Sequence, residues 1–295
     1  MSLRLQMLQV MGLSKRVLND STELIQKFVL SKLNPDGGFQ DRVGESDLYY
    51  TVFGLECLKS LQCELPIDRL KPWLESFEDG GELDLVHLTS LIRCWSNLEK
   101  DLYKTDKKKH FLKQLQRYRS ADGGYNTESN AEKGTGYAAF LVYGAFQELH
   151  EPIQNRELLI ESIQSLHVGN GSYGMLAGQA EGTTPTTAAA CLALYDMGVR
   201  DFDLSRQWLL NNFSLKSGGF FAIPNAPMPD LLSTATALHT LTVIGADFDD
   251  LKEACLDFVD SLWTNSGSFY GTWPDDILDV EYTLYGLLAL GHLAV

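Results

Sequence analysis

Acidic residues stand immediately before several long apolar segments of the chain. Asp47, Asp230 and Asp279 each begin the pattern Asp-x-x-x-Thr. An Asp in this position is typical of a helix N-cap, which accepts hydrogen bonds from the first free amides of the helix, and we expect that role for Asp47 and Asp279. In a functional interpretation, the same helix starts line one rim of a central cavity.

A second set of acidic residues could work as paired carboxylates. Asp276, Asp279 and Glu281 lie close together near the end of the sequence. Paired carboxylates can act as general acid and base, which keeps an enzyme acting on carbohydrates among the hypotheses. Sugar sites usually stack tryptophan, and most tryptophans here fall in segments typical of outer helices or packing. This hypothesis therefore ranks last.

The elements that position these residues form a repeat. A short Gly-rich or acidic turn is followed six times by a long apolar segment, and successive turns lie 43 to 49 residues apart. This period is typical of stacked helix pairs. The six turns are Asp36–Phe39, Asp79–Gly81, Asp122–Tyr125, Gly169–Tyr173, Ser217–Phe220 and Ser266–Phe269.

Each repeat predicts two helices of different character. An amphipathic helix precedes the turn, as in Thr22–Leu33 and Leu204–Phe213, and the glycines of the turn end it. The second helix is apolar on nearly every face, so it must be buried on every face. The predicted second helices include Tyr50–Leu61, Tyr137–Leu149, Thr187–Met197, Leu231–Ile244 and Val280–Leu293. We therefore predict an all-α fold, an α6/α6 toroid of six inner and six outer helices, as one domain over residues 1–295.

Composition excludes several classes of function. The chain has 295 residues and a formal net charge of −15, which argues against nucleic acid as a partner and against attraction to anionic membranes. No apolar run approaches membrane-spanning length. Five cysteines without metal-type spacing indicate buried reduced thiols, and so a cytoplasmic protein.

Three segments carry a resemblance to a known family. Residues 34–39, 217–241 and 273–290 are similar to the repeats of protein prenyltransferase β subunits, and more distantly to those of squalene and oxidosqualene cyclases. The resemblance covers essentially the whole chain. It implies an apolar, aromatic-lined funnel that holds an isoprenoid, a zinc ion near the rim, and docking of an α-helical partner subunit.

The residues at the family's zinc and diphosphate positions depart from the family pattern. The zinc ligands Asp, Cys and His fall on Asp230, Leu232 and Tyr282, and one carboxylate does not make a zinc site. We therefore predict no metal and no cofactor. The loop that would hold a diphosphate, residues 221–229, contains no cation, so a prenyl diphosphate would meet more carboxylate than cation.

The segment Asp279–Thr283 resembles the Asp-x-Asp-Asp-Thr motif of squalene-type cyclases, in which the middle acid protonates an alkene. Glu281 stands at that middle position, and Tyr282 replaces the last acid. The chemistry needs a carboxylic acid that stays neutral in an apolar pocket and aromatic walls that stabilise a cation. The alternative is that Glu281 is only a first-turn residue favoured by the helix dipole.

The sequence thus predicts a prenyltransferase-like protein that handles an isoprenoid in a central apolar cavity. One alternative is a non-catalytic toroid that binds an apolar ligand or a helical partner subunit; another is a class II cyclase-like activity that uses Glu281. The candidate catalytic residues are Asp230, Asp279, Glu281 and Tyr282. The candidate substrate-binding residues are Tyr49, Tyr50, His87, Tyr137, Phe140, His239 and Tyr285.

Overall fold

The computed structural model describes residues 1–98 and 101–295, apart from the side chain of Tyr103. Within these residues the secondary structure is almost entirely helical. Two helices at the start of the chain are α1, Leu3–Leu13, and α2, Lys15–Leu18. Within residues 1–98 and 101–295 there are two strands, β1 (Trp263–Thr264) and β2 (Ser268–Phe269). They form a short antiparallel pair around the last turn.

Twelve further helices form two concentric layers, as the repeat predicts. The outer helices are α3 (Thr22–Ser31), α5 (Ile67–Glu75), α7 (Asp106–Leu115), α9 (Arg156–Gln164), α11 (Asp203–Asn211) and α13 (Lys252–Ser261). The inner helices are α4 (Leu48–Ser60), α6 (Leu85–Leu98), α8 (Gly136–Glu148), α10 (Thr184–Asp196), α12 (Leu231–Val243) and α14 (Val280–Leu293). Each inner helix packs against the next, and α14 packs against α4 to close the ring. The predicted α/α toroid is confirmed, and we propose that residues 1–295 form one domain.

The inner helices begin where side-chain caps place them. The predicted N-caps Asp47 and Asp279 are confirmed, since each accepts a hydrogen bond from a first-turn amide. Asp230 caps α12 in the same way. Helix α10 begins at Thr184, three residues before the predicted start, because Thr183 forms a capping box with Thr186.

The threonine of the Asp-x-x-x-Thr pattern joins each turn to its inner helix. Thr51 Oγ1 accepts a hydrogen bond from the amide of Phe39 at 2.9 Å and donates to the Asp47 carbonyl at 2.6 Å. Thr234 accepts from the Phe220 amide in the same way. A buried amide without a partner would cost free energy, so the threonine is the structural part of the motif.

The last turn closes the outer layer of the ring. Gly267 adopts a φ of +90°, and a Cβ at this position would lie 2.3 Å from the backbone of Leu24 in α3. Only glycine allows both this backbone conformation and this close approach. The sixth turn therefore packs directly on the first outer helix.

Helix α1 lies across the end of the ring that the C-terminal ends of the inner helices form. Arg4 makes a buried ion pair with Glu148 of α8 at 2.5 Å and donates to Asn97 Oδ1 of α6 at 2.8 Å. The α1 backbone at Val10 packs so closely on Gly291 of α14 that a Cβ there would lie 2.0 Å from the Val10 carbonyl oxygen. Helix α1 thus covers one end of the ring, a position that the sequence did not predict.

The cysteines and the helix lengths agree with the expectations from composition. Cys57, Cys94, Cys191 and Cys255 are buried free thiols, and Cys63 is a partly buried one. In the described part of the chain, every helix is too short or too polar to cross a bilayer.

Candidate functional site

The inner ring encloses a cavity of about 430 Å³. Residues from all six inner helices line it, and Leu3, Arg4 and Met7 of α1 form its floor. Met175, in the loop after the fourth turn, also lines the cavity and is 50% exposed to solvent, so it marks where the cavity reaches the surface. We call the end formed by the N-termini of the inner helices the rim.

Aromatic side chains make up much of the cavity wall. Five of the predicted substrate-binding residues line it: Tyr49, Tyr137, Phe140, His239 and Tyr285. Phe53, which was not predicted, packs edge-on against Tyr49 with ring centroids 4.6 Å apart. Its position four residues after Tyr49, on the same helix face, was the signal in the sequence. Tyr50 lies outside the lining, and its role stays a prediction.

Glu281 reaches the cavity wall through Tyr49. The Tyr49 hydroxyl donates a hydrogen bond of 2.7 Å to Glu281 Oε1. Burial raises the pKa of Glu281 to about 7; the charge of Asp279 adds to this, while the bond from Tyr49 and the charge of Arg42 oppose it. Glu281 is therefore a carboxyl group that carries a proton through mildly acidic pH, next to an aromatic ring of the cavity.

Arg42 supplies a cation at the rim that the sequence analysis did not predict. Arg42 Nε donates to Asp279 at 2.7 Å, and its Nη2 pairs with Asp275 at 2.8 Å. The guanidinium lies 5.1 Å from the ring centroid of Tyr282. Arg42 thus balances two rim carboxylates and joins the loop of the first repeat to that of the sixth. The third acidic residue of the carbohydrate hypothesis, Asp276, is exposed.

His87 bridges two neighbouring helix caps at the rim. Its Nε2 lies 3.0 Å from Asp47 Oδ2, and its Nδ1 lies 2.8 Å from Asp84 Oδ2. The hydrogen bond with Asp47 is the largest influence on the pKa of His87, and with that of Asp84 it raises the value to about 9 against an opposing effect of burial. Both ring nitrogens are engaged and His87 lies outside the lining, so its substrate-binding role stays a prediction.

His239 forms part of a buried histidine pair on the cavity wall. Its Nδ1 lies 3.0 Å from Nε2 of His292. Burial lowers the pKa of His239 to about 4 and, together with the charges of His239 and Lys252, that of His292 to about 3. The sequence predicted His239 as a substrate-binding residue, but His292 was missed because nothing in its local sequence marks its partner.

The residues at the family's zinc positions do not fit a zinc ion. Asp230 accepts two hydrogen bonds of 2.7 Å from Ser233, and burial raises its pKa. Leu232 has no ligand atom and lines the cavity. Tyr282 packs against Gly271 and Arg42. Within residues 1–98 and 101–295, no group of three His, Cys, Asp or Glu could hold a metal. The expectation of no zinc stays a prediction.

Comparison with known proteins identifies the family of this chain. The model of the prenyltransferase alpha-alpha toroid domain matches residues 4–92, 86–207 and 200–293. The chain belongs to this family. No curated protein matches the sequence significantly.

Solved structures with the same fold come from prenyltransferases, terpene cyclases and glycosidases. Protein geranylgeranyltransferase-I of Candida albicans is 14% identical with a TM-score of 0.64, over 87% of this chain and 92% of that chain. A variant of the type II terpene cyclase MstE of Scytonema is 14% identical with a TM-score of 0.63, over 96% and 97%. The GH76A alpha-1,6-mannanase of a Salegentibacter species is 13% identical with a TM-score of 0.63, over 93% and 98%. At these identities the likeness concerns the fold.

Proposed function

We propose that this toroid protein binds an isoprenoid chain in its central cavity, as a prenyltransferase-like, isoprenoid-handling protein. The observation that carries the proposal is a cavity of about 430 Å³ whose wall is mostly apolar and aromatic and whose far end α1 covers. This volume lies within the range of about 300–1,000 Å³ typical of small-molecule sites. The similar geranylgeranyltransferase was solved with geranylgeranyl diphosphate, and the similar cyclase with geranylgeranyl dihydroxybenzoate.

The charges around the cavity favour a neutral ligand over a diphosphate. The two arginines that line the cavity are each paired: Arg4 with Glu148 at 2.5 Å, and Arg93 with Glu56 at 2.6 Å. At the rim, Arg42 is paired with two carboxylates. A diphosphate would have to displace a carboxylate from one of these arginines, whereas a neutral isoprenoid needs only apolar surface to bury, at roughly 25 cal/mol per Å².

A class II cyclase-like activity is the second candidate, and Glu281 is the observation in its favour. Its pKa of about 7 and its 2.7 Å hydrogen bond with Tyr49, a residue of the cavity lining, support a role as proton donor. In this reaction the hydrogen bond would first reverse, so that protonated Glu281 donates to the Tyr49 oxygen. Tyr49 would then give its proton to a double bond of the ligand and take the proton of Glu281, which is left as a carboxylate. The alkene would become a carbocation facing the aromatic wall. Asp230, Asp279 and Tyr282 stay predicted catalytic residues of this rim.

Native mass spectrometry with a panel of isoprenoids tests where and what the protein binds. Farnesol, geranylgeraniol and their diphosphates are the probes, and we expect the neutral compounds to bind. Gly144 lines the cavity, and a Cβ there would meet nothing within 4 Å. Gly144→Phe should therefore project its ring into the cavity and lower affinity at least tenfold, whereas Gly144→Ala should bind as the wild type does. Unchanged binding by Gly144→Phe would rule out the central cavity as the site.

Product analysis separates the two candidates. If the cyclase-like candidate is right, Glu281→Gln still binds the polyene but forms no rearranged product, because the amide has no acidic proton to transfer. Turnover retained by Glu281→Gln removes this candidate and leaves the binding proposal standing. Docking of a helical partner subunit stays a prediction from the family resemblance.

A further inference from the structure

Two histidines from neighbouring inner helices meet at the cavity wall. His239 of α12 is only 2% exposed, and its Nδ1 lies 3.0 Å from Nε2 of His292 in α14. His292 Nδ1 in turn lies 3.0 Å from the hydroxyl of Thr242. Distances alone leave the direction of each hydrogen bond open, but a third contact decides it.

The Thr242 hydroxyl donates its single proton to the carbonyl oxygen of Leu238, 2.9 Å away. A carbonyl can only accept, so the hydroxyl must accept from His292 Nδ1. A neutral imidazole carries one N–H, and burial lowers the pKa of both rings well below neutrality. His292 Nε2 therefore accepts, and His239 Nδ1 donates to it. One assignment satisfies all three contacts, and it leaves a lone pair on His239 Nε2.

That last nitrogen is the unused end of the chain of hydrogen bonds. His239 Nε2 is buried and has no partner among residues 1–98 and 101–295, and the ring belongs to the cavity lining. A buried acceptor without a partner costs free energy, so this atom favours any ligand that brings a donor. From the spacing along α12, it lies roughly 13 Å below the Asp230 cap, towards the floor.

We propose that His239 Nε2 accepts a hydrogen bond from a hydroxyl group at the buried end of the ligand, which makes the ligand a neutral isoprenoid alcohol. This inference rests on the proposed function and narrows its substrate class. Because Nε2 carries no proton, it rejects ethers and ketones as partners and accepts only a donor. The hydrocarbon part of the ligand then extends from the floor towards the rim, past the aromatic wall.

Three probes of similar shape test the inference: farnesol, farnesyl methyl ether and farnesene, each titrated against the full chain by native mass spectrometry. We expect farnesol to bind about tenfold more tightly than the other two. Equal affinity for all three would overturn the role of His239 while the proposed function stands. Binding of none of them would overturn both. Tighter binding of the ether or the hydrocarbon would also overturn the inference.

Two substitutions of His239 separate the two ends of its ring. His239→Asn places an amide near the Nδ1 position, which preserves the donor to His292 but removes the acceptor in the cavity. His239→Gln places an amide near Nε2, which preserves an acceptor there. We expect the preference for farnesol to disappear in the Asn variant and to persist in the Gln variant. The opposite pattern would refute the assignment.

A measurement without a ligand covers the case in which a variant does not fold. Imidazole ¹⁵N spectra of the wild-type protein at pH 7 should show His239 and His292 both neutral and both protonated on Nδ1. A proton on Nε2 of His239 would contradict the proposal directly, because the nitrogen proposed to accept from the ligand would then be a donor.

Discussion

Replacing Glu281 with glutamine should stabilise the protein at alkaline pH. Burial raises the pKa of this carboxyl from 4.5 to about 7. Between these values the native state holds a proton that the unfolded state has released, so the free energy of unfolding falls as pH rises. The contribution is fully present below about pH 4.5 and is lost as pH rises through about 7. Glutamine is neutral throughout and can still accept the hydrogen bond from Tyr49.

The magnitude follows from the size of the pKa change. At 1.36 kcal/mol per pKa unit, a rise from 4.5 to about 7 corresponds to about 3 kcal/mol. We therefore expect Glu281→Gln and the wild type to have similar stability at pH 5. At pH 9 the variant should be more stable by roughly 2–3 kcal/mol, since only the wild type must then hold a buried charge.

Urea denaturation followed by circular dichroism at one-unit intervals from pH 5 to pH 9 measures this difference. Glu253→Gln is the matched control, because Glu253 also lies in the first turn of a helix but is exposed. The informative quantity is the difference between variant and wild type at each pH, since other groups titrate equally in both. Parallel curves for Glu281→Gln and the wild type over this range would refute the reasoning.

Three further substitutions, one of them with a control, probe the rim, the ring closure and the floor. His87→Gln should remove about 1 kcal/mol of stability at pH 6, a value reduced for solvent screening. The difference should vanish above about pH 9, where the wild-type imidazolium has lost its proton; an equal loss at pH 6 and pH 10 would contradict this. Gly267→Val should cost at least about 3 kcal/mol by thermal denaturation, whereas Gly198→Ala, at a φ of +93° in open space, should cost about 1 kcal/mol. Arg4→Met should cost about 3 kcal/mol in urea because Glu148 would be left as an unpaired buried charge; a change below 1 kcal/mol would mean that α1 is not anchored by this pair.

The ring could be predicted from sequence because its signals are local. Each turn carries its own glycines, and most inner helices are apolar on nearly every face within a dozen residues. The N-cap Asp279 and its threonine partner lie four residues apart. The turn and the apolar segment that follows it occur six times along the chain, and six helix pairs are enough to close the ring.

The contacts that shape the site are distant in sequence, and they could not be predicted. Tyr49 and Glu281 are separated by 232 positions, and His239 and His292 by 53. Nothing in the local sequence distinguishes Arg42 from other loop residues, because its partners Asp275 and Asp279 belong to the sixth repeat. The wall aromatics were predicted from helical position alone, which is why neighbouring Tyr50 was included although it lies outside the lining.

Helix α1 has a consequence for how the cavity can vary among proteins of this architecture. The repeats determine the width of the hollow, but its depth ends at Leu3, Arg4 and Met7, which belong to no repeat. Exchanging Leu3 or Met7 for a smaller or larger residue would lengthen or shorten the space for a ligand chain without touching any contact between inner helices. Width and length are thus encoded in separate stretches of sequence, and the second can change while the first stays as it is.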